Sequence, residues 1–184
     1  MLITEEKKKY TDADYMLLEE GAPFQLINYD FVMSPSPNPD HQTLSFRIGL
    51  ILGFFLESKN DNGYVASAPC DVKFDDGNIL QPDLLYITEQ RKSEIVKERI
   101  IGAPDLIVEI LSPSNAYYDL RQKKDIYEKY GVKEYIIIDP VLINADLYAL
   151  KDGIYYLHQR AEKTELLNSL ILPGLSFDLK RIFR

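Results

Sequence analysis

The run Leu106-Ile107-Val108-Glu109-Ile110-Leu111 limits what this chain can fold into more than any other segment. It is aliphatic and partly β-branched, bounded by Pro104-Asp105 and by Ser112-Pro113-Ser114, and reads as a strand buried on both faces. Its single polar member is a carboxylate. Burying a carboxylate in an apolar strand is costly unless it is paired, protonated or bound to a cation. Glu109 therefore needs a partner. A second apolar run, Tyr135 to Ile138, has the same character, and the residues from about Ala116 to Tyr130 between the two fit a helix. Gly131 follows, where a left-handed cap is wanted. Strand, helix and strand in this order predict a right-handed parallel crossover.

The flanking segments predict further strands and helices around that unit. Thr11-Asp12-Ala13-Asp14 is a capping-box pattern that predicts a short helix over about 11 to 20. Phe24 to Ile27 and Phe31 to Met33 alternate around Asn28-Tyr29-Asp30 as a hairpin, before Ser34-Pro35-Ser36-Pro37-Asn38-Pro39 breaks regular structure. From Asp40 to Ser58, Leu44, Ile48, Ile51, Leu52 and Phe55 recur at helical spacing, with Asp40 placed as the cap. Strands are expected over Tyr64 to Ala68, Asp71 to Phe74 and Ile79 to Ile87, with a tight turn at Asp76-Gly77. Leu147 to Leu150 and Ile154 to Leu157 form a late hairpin around Lys151-Asp152-Gly153, and a short helix from about Ser176 closes the chain. The fold class is α/β (α+β): a central mixed sheet flanked by helices, in one domain spanning 1–184.

At 184 residues and 46% hydrophobic content the chain can bury its own core. No apolar run is long enough to cross a membrane and no signal-like segment opens the chain, so a cytoplasmic protein is expected. One cysteine, Cys70, and two histidines, His41 and His158, disfavour a disulfide or a zinc cage, so any metal would be held by oxygen. The net charge of −8 is unfavourable for binding nucleic acid through a broad basic surface. Basic residues would have to gather locally, and two stretches offer that: Arg91, Lys92, Lys97 and Arg99, then Arg121, Lys123, Lys124, Lys129 and Lys133.

Two Pro-Asp pairs offer a second carboxylate beside Glu109. Asp105 lies on the same strand, about 13 Å away at about 3.3 Å per residue, too far to share a magnesium ion whose ligands sit at about 2.1 Å. It reads as a turn or capping residue. Asp83, after Pro82, lies in a separate strand that can pair beside the first. Asp83, Glu109 and the carbonyl of Ile110 are the candidate ligands of Mg2+ or Mn2+. The same residues fit equally a structural reading in which Asp83 ends a strand after Pro82, Glu109 pairs with a core lysine or tyrosine, and Lys123 is solvated. Lys123, early in the following helix, is the candidate to orient water or to stabilise charge in the transition state. His41 begins the long helix and could reach the site as an auxiliary residue, but reads more simply as a capping or packing residue. Ser112 and Ser114 read as turn and cap residues. Tyr117, Tyr118, Tyr127 and Tyr130 can either stack on bases or pack in the core.

Taken together, Gln81-Pro82-Asp83, Pro104 to Ser114, Asp119 with Lys123 and Tyr127, and Gly131 to Pro140 resemble the PD-(D/E)XK nuclease superfamily. They are more closely similar to a widespread bacterial family of restriction-endonuclease-like proteins. The resemblance covers nearly the whole chain. It implies a restriction-endonuclease-like core with Asp83 and Glu109 as metal ligands, Lys123 as catalytic lysine, Mg2+ or Mn2+ as cofactor, DNA as substrate, and a homodimer whose two sites suit the two strands of a duplex. The superfamily lysine two residues after the second acid is replaced here by Leu111, which leaves that role to Lys123. Where family members tend to carry a glutamate, this chain has Gln25, an auxiliary oxygen donor without charge. A relative that kept the fold as a DNA-binding or protein-interaction module, without catalysis, is the alternative.

Overall fold

The computed structural model describes residues 8–34, 36–112 and 116–184. Pro35, Pro113 and the cap reading of Ser114 lie outside the described residues. The elements run α1 (Asp12–Tyr15), β1 (Phe24–Ile27), β2 (Asp30–Met33), α2 (Pro39–Lys59), β3 (Tyr64–Ser67), β4 (Val72–Asp75), β5 (Asn78–Leu80), β6 (Leu84–Ile87), α3 (Glu89–Ile95) and β7 (Ile100–Ile101). They continue with β8 (Leu106–Ile110), a π-helical turn (Tyr118–Lys123) that runs into α4 (Lys124–Tyr130), β9 (Glu134–Asp139), β10 (Asn144–Lys151), β11 (Ile154–Glu162), β12 (Leu166–Asn168), β13 (Ser176–Asp178) and α5 (Leu179–Ile182).

Among the described residues the strands form a mixed six-stranded sheet, β11-β10-β9-β8-β6-β3, a five-stranded sheet, β2-β1-β5-β4-β7, and the β12-β13 pair. β8 and β9 are parallel, as the crossover requires, and β6 lies antiparallel on the other side of β8. Side-chain alternation along β6 and β8 divides the core in two. Leu84, Val108 and Ile110 face α2 and meet Leu44, Ile48, Leu52 and Leu56. Leu85 and Ile107 face the opposite way, toward Ile126 and Tyr127 of α4 and toward Val72 and Leu80 of the five-stranded sheet.

Four sequence expectations change. The first helix stops after one turn although its capping box forms, with the Thr11 N–H donating to Asp14 at 2.9 Å. Met16 and Leu17 are exposed, so a longer helix would find no core to cover. The cap of α2 is Asn38 rather than Asp40: its side chain accepts the His41 N–H at 2.8 Å, and Pro39 takes the first helical position, where a missing N–H costs nothing. The stretch from Ile79 to Ile87 is two strands in different sheets, because Pro82 has no N–H for a ladder and the chain crosses between sheets at Gln81-Pro82-Asp83. Finally, Ser176 opens a strand paired with β12, and helix begins only at Leu179.

Gly131 ends α4 at φ 86°, with its N–H donating to the Tyr127 carbonyl at 3.1 Å. A Cβ there would meet nothing within 4 Å. The cost of Gly131→Ala is then purely that of the left-handed backbone, about 1 kcal/mol. A thermal melt should show a fall of about 2–4 °C for a chain of this size; an unchanged melting temperature would contradict the cap assignment.

Candidate functional site

Three elements bring the charged residues together at the carboxyl end of β8. Leu84 pairs with Val108 and Leu85 with Ile107, so one step further along the same register Asp83 stands opposite Glu109. Directly opposed residues of an antiparallel pair project to the same face. The two acids are therefore neighbours on one side of the sheet. The Asp83 carboxylate accepts the Ile110 N–H at 2.7 Å, which fixes it against the end of β8.

The third element is the helix after β8. Its π-helical turn directs Asp119 and Lys123 inward, and Tyr127 follows one turn later in α4. The Lys123 ammonium lies 2.9 Å from Glu109 Oε1 and 2.9 Å from Asp119 Oδ1. The Tyr127 hydroxyl donates to the same Glu109 oxygen at 2.6 Å. Glu109, Asp119 and Lys123 are all 3% exposed or less, so this is a buried ionic cluster in which acids outnumber the lysine. Burial pushes the Glu109 carboxyl up to about 8; Lys123 opposes the shift, while the nearby charges of Asp119 and Asp83 add to it. Burial raises Asp119 as well, again against the pull of Lys123. Lys123 is itself raised: burial would lower it, but Glu109, Asp119 and Asp83 outweigh that cost.

His41 reaches the candidate site, the lesser of the two readings its sequence position allowed. Its backbone N–H does serve the Asn38 cap. The imidazole Nε2, however, sits 3.2 Å from Asp83 Oδ2 and 3.2 Å from the Ile110 carbonyl oxygen. Burial disfavours its charged form, yet the hydrogen bond and charge of Asp83, with the Ile110 carbonyl, raise its pKa overall. Thus Asp83 and the Ile110 carbonyl converge on one point, and His41 stands there. An open cleft of about 580 Å3, lined by His41, Asp83, Ser112, Asn38 and Gln81, leads to it. A neighbouring cavity of about 630 Å3 shares Gly21, Pro69 and Gln81 but reaches none of the cluster's carboxylates. The cleft holding Asp83 is therefore the candidate site.

Other residues are placed elsewhere. Gln25, in β1, is buried with its side-chain oxygen accepting the Gln81 N–H at 2.8 Å. It braces the crossing that carries Asp83 and is not among the cluster's donors. Asp105, at the far end of β8, accepts from the Thr88 N–H at 2.9 Å and pairs with Arg91 and Lys133, as a capping residue does. Burial works against its charge, but Lys133, Thr88 and Arg91 hold its pKa low. These ties also change the expectation of local basic surfaces. Arg91 and Lys133 are bound to Asp105, Arg99 to Asp12, and Lys123 is buried. Of the tyrosines, Tyr117 is exposed while Tyr127 is core and Tyr130 donates to Asp75.

The spacing of Asp119, Lys123 and Tyr127, each four residues apart, was the sequence signal for a single inward helix face, and it identifies Asp119 and Tyr127 as members of the cluster alongside Lys123.

The donor set suits a hard cation. Carboxylates and a carbonyl oxygen are what Mg2+ and Mn2+ take, and Mg2+ needs only one or two protein carboxylates because it keeps several waters. Among the described residues, no three His, Cys, Asp or Glu side chains form a ready-made cage.

Comparison with known proteins agrees with the fold. The model of the Uma2 family, described as "Putative restriction endonuclease", matches residues 12–180. The uncharacterised protein sll1609 of Synechocystis sp. is 24% identical over 151 residues, covering 80% of this chain and 85% of that protein. A crystal structure from Anabaena variabilis, titled a putative nuclease belonging to DUF820, superposes with a TM-score of 0.77 at 18% identity, covering 94% of this chain and 97% of that one.

Proposed function

This chain belongs to the Uma2 family of restriction-endonuclease-like proteins, and on that premise we propose that it is a Mg2+- or Mn2+-dependent endonuclease that hydrolyses DNA phosphodiester bonds. The observation that carries the reading is the meeting of the Asp83 carboxylate and the Ile110 carbonyl at one point beside Glu109, with the Lys123 ammonium held 2.9 Å from Glu109. Asp83, Glu109 and the Ile110 carbonyl would hold the cation. When bound, the cation supplies a water of lowered pKa and offsets charge on the scissile phosphate.

The chain's own residues prepare that arrangement. Lys123 and Tyr127 both donate to Glu109 Oε1, which fixes the carboxylate, so Oε2 would be the oxygen left to a cation. Asp119 holds Lys123 from the other side, so the ammonium cannot swing away. His41 occupies the meeting point through Asp83 and Ile110 and would have to give it up to a cation held there. Incubation of supercoiled plasmid and of single-stranded DNA with Mg2+ or Mn2+, against a chelator control, tests the reading. Cleavage that needs the cation supports it; a thermal gain from the cation without cleavage supports the non-catalytic alternative.

Proton competition adds a signed expectation. Glu109 is raised from about 4.5 to about 8, so a proton occupies it over much of the neutral range. Its contribution to stability is complete below about pH 4.5 and is lost as pH rises through about 8. Cation binding requires the ionised form. Melting curves should therefore show the Mg2+-induced gain growing from pH 6 to about pH 9, while the cation-free melting temperature loses the Glu109 contribution over the same interval. A gain independent of pH would argue against Glu109 as a ligand.

A further inference from the structure

The helix α2 is apolar on both sides. Its inner face carries Leu44, Ile48, Leu52 and Leu56 into the core. Its outer face presents Phe46, Leu50 and Phe54, which are 67%, 40% and 64% exposed. Glu57 is the one acidic residue on that outer side, near the helix end. A helix that is apolar all round is normally covered. Beside the stripe, a groove of about 310 Å3 runs between α2 and β3, lined by Phe46, Gly49, Leu50, Val65, Ala66 and Ala68. β3 is the outer strand of the six-stranded sheet, and Tyr64-Val65-Ala66-Ser67 contains none of the charges that commonly protect such an edge.

We infer that this face binds a second copy of the same chain, through α2 packed antiparallel against α2 of the partner subunit about a two-fold axis at Leu50. Three observations favour a copy over another protein. The stripe is symmetric about Leu50, with a phenylalanine four residues to each side, so a two-fold axis there lays Phe46 of one subunit beside Phe54 of the other. Such a patch is self-complementary, as an isologous contact demands. The area also fits. Two phenylalanines at about two-thirds exposure, with Leu50 and the β3 edge, supply roughly 400 Å2 of apolar surface per copy. A standard interface takes about 800 Å2 per partner, a little over half of it apolar. Gln42, Ser45 and Glu57 provide a polar rim. Charge adds a third reason: copies that each carry −8 repel less where Glu57 is the one acid on the meeting face and Arg181 and Arg184 flank Leu50 and Phe54. Arg47, on the margin, is already bound to the Ile182 carbonyl at 2.8 Å.

Gln42 and Ala68 line both this groove and the candidate cleft, so in the pair each cleft borders the joint. The test needs no nuclease activity. Light scattering on the full chain at about 100 µM should give twice the single-chain mass of 21.2 kDa. Phe46→Asp with Phe54→Asp should return the mass to a single chain while the melting temperature and circular dichroism of the fold stay unchanged. In a Cys70→Ser background, Leu50→Cys should form a disulfide-linked dimer on oxidation, because the axis brings the two thiols together. A native chain that stays single at that concentration, a double variant that stays paired, or a failure of Leu50→Cys to cross-link would each overturn the inference. So would a single native chain that instead binds phospholipid vesicles through Phe46 and Phe54.

Discussion

Asp83→Asn should reduce cation-dependent DNA cleavage by about a thousandfold or more and abolish the thermal gain from Mg2+ or Mn2+. Asparagine keeps the side-chain oxygen that accepts the Ile110 N–H, so the end of β8 retains its hydrogen bond. What it removes is the charge that would face the cation. A thousandfold loss corresponds to about 4 kcal/mol of transition-state stabilisation, more than a misplaced hydrogen bond of about 1 kcal/mol accounts for. The cation-free melting temperature should move by only a few degrees. Plasmid cleavage rates and melting curves measured on one preparation separate the two effects. A variant that cuts at the native rate would place the chemistry elsewhere.

Lys123→Met is expected to cost both activity and fold. The methionine fills much the same volume but strands Glu109 and Asp119 as buried carboxylates with no ammonium between them. Removing one partner of a buried ion pair costs about 3–5 kcal/mol, or about 10 °C or more in Tm for a chain of this length. The pH dependence distinguishes this cause from simple misfit. With Lys123 gone both carboxyls bind their protons more tightly, so the loss is smallest near pH 5, where they can be neutral, and grows as pH rises. Lys123→Met combined with Glu109→Gln should recover part of the stability and none of the cleavage. If the double variant were as unstable as the single one, the ion pair would not be what holds this region. Chemical denaturation at several pH values measures the difference.

Much of this arrangement was legible because single residues stood out against their surroundings. Glu109 is visible as the one acid in an apolar run, and its need for a partner follows from that alone. The parallel β8-β9 crossover and the Gly131 cap follow from two apolar runs joined by a helical segment. Less legible were contacts that depend on three dimensions. That the His41 ring reaches Asp83 was one of two readings of a histidine three residues past Asn38, and sequence favoured the other, since the same position serves a cap. The break at Pro82 was signalled by the proline itself, and the continuous apolar character on either side hid it. Apolar residues at Phe46 and Phe54 gave no warning that they face outward, because hydropathy pattern does not distinguish a core face from an uncovered one.

The π-helical turn makes residue number, as well as residue type, a determinant of the cluster. A turn closed by i to i+5 bonds holds one residue more than an α-turn. A chain shorter by one residue between Tyr118 and Lys123 would regain α pitch and swing everything before the gap by about 100°. Tyr127 and α4 would keep their seat on the sheet while Asp119 turned away from Lys123. The architecture would survive such a gap and the charge arrangement would not, so within this fold the spacing of that segment, counted in codons, marks which relatives can assemble the same constellation.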